Sequence, residues 1–279
     1  MILNEGGNVF KTEPEKEMMT QRIATPDVHP TIQFIEKITG LTFDEEDWLG
    51  TTGKKNDPDG VFEKNSSGDL DLNTDANKIS KEELKAKLSA WLKSQGVPED
   101  QIMNVGRKKQ DGWIHDAGDQ VHFRTPIDGT DQKGFVQTDF MFTLKPDFQR
   151  GAKRGGTDQY GGALRAMLLA SLARGRGYKM SPKFGILDPN KGDAVIADDW
   201  AKGIPEILLG KGATEEDTHT VESMIAFLRK NEPNYEELIS QFEYQLEKAG
   251  KKLPESEEDK QLDRIKELAG LNLNSVRMI

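Results

Sequence analysis

The chain has 279 residues, 31% of them charged and 35% apolar, with a formal net charge of −10. That length can bury a sizeable core and still carry an appendage, while the acidic balance argues against wholesale wrapping of nucleic acid, which needs clustered Lys and Arg. The absence of cysteine removes disulfides, thiolate zinc sites and cysteine nucleophiles together and fits a cytoplasmic setting.

Residues 1–26 are polar and aperiodic, an extended arm without the basic-then-apolar order of a signal peptide. Asp27 to Gly40 reads as a helix with Ile32, Phe34, Ile35 and Ile38 on one face and Gly40 as its stop. "LTFDEEDWLGTTGKK" is a short apolar stretch feeding a Gly/Thr turn, and residues 54–68 read as a loop. Leu70 and Leu72 then alternate with Asp69 and Asp71, the period of a half-buried strand. A helix follows from the cap Ser80 to about Gln95, with Glu83 completing a capping box and Leu84, Leu88, Trp91 and Leu92 on one face. "QVHFRTPI" at residues 120–127 and "GFVQTDFMFTL" at 134–144 are strands, and the turn-rich "DGTDQK" between them predicts an antiparallel pair. Gly162 to Ala173 is a mostly apolar, buried helix. Beyond Asp193 charged helical segments dominate: "TVESMIAFLRKN", "NYEELISQFEYQLEKAG" and "EEDKQLDRIKELAGLN". The organisation is therefore an arm over 1–26, a core over 27–192 and a helical accessory region over 193–279. No apolar run approaches the roughly 20 residues that span a bilayer, so no membrane partner is expected.

Several constellations compete for the chemistry. Counting from Asp71, residues Asp71, Asn73, Asp75, Asn77 and Glu82 copy the ligand spacing of an EF-hand calcium loop. Against it, Ala76 stands where the loop needs Gly, Lys78 stands where it needs an apolar anchor, and no helix enters it. "GTTGKK" fails as a phosphate loop, because Trp48 occupies the first Gly position and Lys55 the Ser/Thr position. His29, His115, His122 and His219 are scattered and read as structural or surface residues. The four tryptophans read as core or rim.

The strongest constellation is carboxylic. Asp69 and Asp71, two apart on a strand, project from one face, and Asp139 sits inside the near-apolar "FVQTDFMF". Burying a carboxylate there is unfavourable unless something compensates its charge. Three such groups converging from neighbouring strands would do so by binding divalent metal. Two Mg²⁺ or Mn²⁺ ions about 4 Å apart align a hydroxyl with a nucleotide α-phosphate and stabilise the leaving pyrophosphate. The basic concentration of the chain, "RGAKRGG" at 150–156 with Arg165, Arg174, Arg176 and Lys179, is a candidate surface for triphosphate or acceptor. Arg150, Lys153, Arg154 and Arg165 are its named candidates.

Taken in order, "LGTT", "SGDLDL" and "FVQTDFMF" resemble the nucleotidyltransferase superfamily pattern of a Gly-Ser turn, an Asp-x-Asp strand and a third Asp on a later strand. The branch they resemble is the family X, polymerase beta-like DNA polymerases. "YGGALRAMLLASLARGRGYKMSPKFGIL" is similar to that family's run after its third Asp, so the resemblance spans residues 49–72 and 134–187. It implies an α+β fold, a polymerase beta-like palm whose mixed sheet is flanked by helices, followed by a C-terminal helical region. It also implies an enzyme that transfers a nucleoside monophosphate from an NTP or dNTP to an RNA, DNA or protein acceptor. Asp69, Asp71 and Asp139 would be both catalytic and metal-holding. Gly50, Thr51, Thr52, Lys54, Ser67, Gly68, Tyr160, Gly161 and Gly162 would surround the nucleotide. "GKK" replaces the family's paired Arg, and "ALRAMLLA" replaces its base- and template-facing Asn and Arg, which points to untemplated transfer. The whole sequence is also similar to nucleotidyltransferase-like proteins of tailed bacteriophages, which places it in the host-cell cytoplasm or with the virion. Two alternatives stand beside this: a catalytically degenerate fold acting as a phage structural or nucleic-acid-binding protein, and a calcium-binding module.

Overall fold

Period-two alternation and one well-capped helix organise the first half of the chain. The computed structural model describes residues 9–12, 17–50, 52, 66–104, 111–157, 159–181, 183–256, 261 and 264. Strand β1 (Ile23–Ala24) runs directly into α1 (Thr25–Thr39), which ends at Gly40 with φ 69°, a left-handed turn that glycine adopts without strain. Next come β2 (Trp48–Leu49), β3 (Ser66–Ser67), β4 (Leu70–Asp75), α2 (Lys81–Ser94) and α3 (Glu99–Ile102). The Ser80–Glu83 capping box at the start of α2 is formed on both sides. Strands β5 (Ile114–Ala117), β6 (Gln120–Pro126) and β7 (Phe135–Thr143) complete this half.

Five of these strands make one mixed sheet in the order β2-β4-β7-β6-β5. β4 and β7 are parallel and the other pairs antiparallel, including the expected β6–β7 pair. Its apolar face is set by Leu70, Leu72, Val121, Phe123, Val136 and Phe140, packed against Ile32 and Ile35 of α1 and Leu84, Leu88 and Leu92 of α2. The fold is thus α+β, a mixed sheet flanked by helices. Because side chains alternate along a strand, the other face carries Asp71 and Asn73, Gln137 and Asp139, His122 and Arg124, and His115. Register partners Asp71↔Asp139, Asp139↔His122 and His122↔His115 put four of these in one row across the sheet.

The second half contains α4 (Pro146–Lys153), α5 (Gly162–Gly175), β8 (Lys179–Ser181), β9 (Gly185–Asp188), β10 (Ala194–Ala197), α6 (Ile204–Leu209), α7 (Val221–Asn231) and α8 (Tyr235–Lys248). The last three strands form a small antiparallel sheet. A separate apolar core joins Phe148, Leu164, Leu168 and Leu172 to Trp200, Leu208, Ile225 and Phe242. Residues on both sides of the boundary expected near residue 192, such as Ile186 and Trp200, contribute to this core. The two cores divide between Phe142 and Phe148, since α4 and α5 bury their apolar faces against α6, α7 and α8. Of the last expected helical segment only Gln261 and Arg264 are described, and both are helical. Among the described residues no helix is long and apolar enough to cross a membrane.

Candidate metal centre

The parallel pairing of β4 with β7 sets Asp71 directly beside Asp139, and Asp69 precedes Asp71 by two residues. One ligand oxygen from each of the three carboxylates lies within 4.8 Å of the others. The local sequence enforces this, because Leu70 and Leu72 commit the opposite face to the core, and a one-residue slip would bury the carboxylates instead. The Asp71 carboxyl is held well above the usual carboxylate range, first by burial and then by the negative charges of Asp69 and Asp139; Lys153 pulls it partly back. Clustered, oxygen-only donors are a donor set suited to Mg²⁺ or Mn²⁺. The residues fit the metal that the sequence implies.

Behind the carboxylates the backbone is tightly constrained. Gly50 has φ 54°, and a Cβ there would lie 2.5 Å from Asp71 Oδ2, so the chain passes closer than a side chain allows. The Thr52 hydroxyl accepts from the Asp71 N–H at 2.9 Å and donates to the Asp69 carbonyl at 3.3 Å. Ser67 Oγ donates to the same carbonyl at 2.7 Å. Both side chains are buried. Expected at a nucleotide, they instead brace the Asp-x-Asp backbone where its bend leaves polar groups to satisfy. Gly68 lies against Arg22, whose guanidinium donates to the Ser66 hydroxyl and carbonyl. Thr51 and Lys54 lie outside the described residues.

The basic candidates separate. Lys153, at the end of α4, is near enough to act on Asp71, and it makes no salt bridge among the described residues. Arg150, one turn earlier, is engaged by Asp47 at 2.9 Å and Asp147 at 2.7 Å. It lines a cleft of about 560 Å³ with Phe43, Asp47, Asn73 and Asp147. Arg154 is exposed just past α4. Arg165 corrects the sequence reading: it is 1% exposed, and its guanidinium donates to the carbonyls of Gly151, Ala152 and Thr218, stitching the second core together. Tyr160 is a second correction. Its ring is buried in that core and its hydroxyl donates to the Lys252 carbonyl at 2.6 Å. Gly161 caps α5 with φ −57° and Gly162 begins it. The close approach falls on Gly155 instead, at φ 98°, where a Cβ would meet the His219 carbonyl oxygen at 2.2 Å.

The calcium loop is also corrected. Its first five positions, Asp71 to Asp75, are extended strand paired with β7, and its twelfth, Glu82, is an exposed first-turn residue of α2 paired with Lys85. A coordinating loop cannot form from a straight strand.

Four residues on this face carry no role at the site in the sequence reading. His122, read there as structural or surface, has Nδ1 2.7 Å from Asp139 Oδ1. An ionised carboxylate only accepts, so that nitrogen carries the proton. Gln137 Nε2 donates to the same oxygen at 2.9 Å, while Gln137 Oε1 accepts from the Val9 amide at 2.9 Å. His115 stacks on His122 with centroids 5.7 Å apart, its basicity lowered by burial and then by that neighbour. Arg124 lies 3.7 Å over the Trp113 ring and donates to Met19 Sδ, and burial pulls its pKa down to about 10. The signal was the polar phase of "QVHFRTPI": once β6 pairs with β7, His122 and Arg124 must share the face of Asp139.

No protein-family model, no curated protein and no solved structure matches the chain.

Proposed function

We propose that this protein is a metal-dependent nucleotidyltransferase with a polymerase beta-like palm, transferring a nucleoside monophosphate from an NTP or dNTP to a nucleic-acid or protein acceptor without a template. The observation that carries the reading is the side-by-side placement of Asp71 and Asp139 on parallel strands with Asp69 alongside, their ligand oxygens within 4.8 Å. Two Mg²⁺ or Mn²⁺ ions, when bound, supply the charge neutralisation and hydroxyl activation that the reaction needs. Asp69 and Asp71 would hold the ions, and Asp139 would complete the acceptor side and take the acceptor's proton. The acceptor oxygen attacks the α-phosphorus, the bond from that phosphorus to the bridging oxygen breaks, and pyrophosphate leaves. Lys153 meets the triphosphate, and Gly50 lets the backbone pass close to the Asp71 carboxylate.

A second reading, a phage structural or nucleic-acid-binding protein that keeps this fold without the reaction, is favoured by the internal use of Thr52, Ser67 and Tyr160. One experiment separates the two. The full chain is incubated with Mn²⁺ or Mg²⁺, labelled NTPs and dNTPs, and RNA, DNA and protein acceptors, beside Asp139→Asn. Label transfer that is lost in the variant supports the enzyme. Nucleic-acid binding without transfer under any combination supports the degenerate fold.

A further inference from the structure

The two oxygens of Asp139 are not equivalent. Oδ1 receives both side-chain donors, His122 Nδ1 at 2.7 Å and Gln137 Nε2 at 2.9 Å. His122, Asp139 and Gln137 are each at most 8% exposed, so water does not compete freely for these bonds. The donors approach from different strands, His122 from β6 directly across the register and Gln137 from two residues back on β7. Each is itself fixed, His122 by the stacked ring of His115 and Gln137 by the Val9 amide. A carboxylate held by two donors on one oxygen has lost its rotation about χ2 and presents the other oxygen in one direction.

Resting on the reading of the triad as a metal site, we propose that His122 and Gln137 are positioning residues that make Asp139 a one-oxygen ligand, with Oδ1 the structural acceptor and Oδ2 the atom offered to metal. Neither residue touches metal or substrate; both act through Asp139. Partners of this kind typically change metal affinity by about 10- to 100-fold when removed.

The test uses Mn²⁺ alone, titrated into the full-length protein and followed by the loss of the free-ion paramagnetic resonance signal. His122→Leu and Gln137→Met remove one donor each while keeping bulk; His122→Asn keeps an N–H near the Nδ1 position. The expected result is a Mn²⁺ dissociation constant raised about tenfold or more in the first two and restored to within about threefold by His122→Asn. Folding is checked by thermal melting, and if His122→Leu does not fold, Gln137→Met decides. Folded His122→Leu and Gln137→Met proteins that bind Mn²⁺ like the wild type overturn the inference, as does His122→Asn behaving like His122→Leu. A wild type that binds no Mn²⁺ overturns the metal reading itself, a different failure from one confined to the variants.

Discussion

Replacing Asp71 with Asn should make the metal-free protein more stable. Asp71 stands between two other carboxylates, with ligand oxygens within 4.8 Å. Two unit charges at that separation repel by about 3.5 kcal/mol at an effective dielectric near 20. Asp69 and Asp71 are only partly buried, so solvent screening takes off part of that, leaving a net gain of about 2 kcal/mol for the neutral amide. For a chain of this size the gain raises Tm by roughly 4 to 8 °C. The sign with pH follows from the raised carboxyl of Asp71. The folded state binds this proton more tightly than the unfolded state, so wild-type stability falls as pH rises from the ordinary carboxylate range through the higher folded value. The gap between variant and wild type is therefore small near pH 4 and full once Asp71 ionises. The assay is differential scanning calorimetry in EDTA from about pH 4 to about pH 8, repeated with Mn²⁺. Metal should stabilise the wild type and leave Asp71→Asn nearly unmoved. An amide variant that melts lower than wild type in EDTA, or that gains as much from Mn²⁺, would refute net repulsion among the three carboxylates.

Three further substitutions test the surroundings. Gly50→Ala introduces a Cβ 2.5 Å from Asp71 Oδ2 at φ 54°; it should cost about 1 to 2 kcal/mol in backbone strain and weaken Mn²⁺ binding measured by calorimetric titration. Lys153→Ala should raise the KM for nucleotide about tenfold, equivalent to ~1.4 kcal/mol, with little change in Tm; an unchanged KM would remove Lys153 from the triphosphate. Arg165→Leu strands the carbonyls of Gly151, Ala152 and Thr218 and should cost about 3 kcal/mol or more in denaturant unfolding. Normal stability with lost acceptor binding would return Arg165 to the functional surface.

What could be read from the sequence was what nearest neighbours decide. The Ser80–Glu83 box, the Gly40 stop and the alternation of Leu70 and Leu72 with the aspartates are local signals, and each appears where it was expected. The approach of Asp69, Asp71 and Asp139 was legible for the same reason, since each carboxylate lies beside or within a strongly alternating strand. The hydroxyls of Thr52 and Ser67 were misplaced because a sequence shows a donor without its direction; the bend before β4 decides that they serve the backbone. His122 and Gln137 depend on registry between β6 and β7. The hairpin turn announces that pairing, but its residue-by-residue alignment cannot be counted off from composition. Arg165 was misread because a basic cluster in sequence resembles a surface patch, whereas an apolar helix carried this member of it inward. Likewise the apolar periodicity of α5 announces burial but not the partner, and the helix packs into the second apolar core.

Helix α4 connects those two cores. Phe148 and Ala152 root it in the second core, Gly151 passes so close to Trp200 that a Cβ would sit 2.0 Å from the indole, and Arg150 ties it to Asp47 of the first half. Lys153, the cation acting on Asp71, is the last residue of the same helix. The acids thus sit on the sheet of one core and the cation that acts on Asp71 ends a helix rooted in the other, so the electrical balance of the cluster depends on how the halves seat against each other. A substitution deep among α5, α7 and α8, far from the three aspartates, would reach the acidic cluster by shifting a charge.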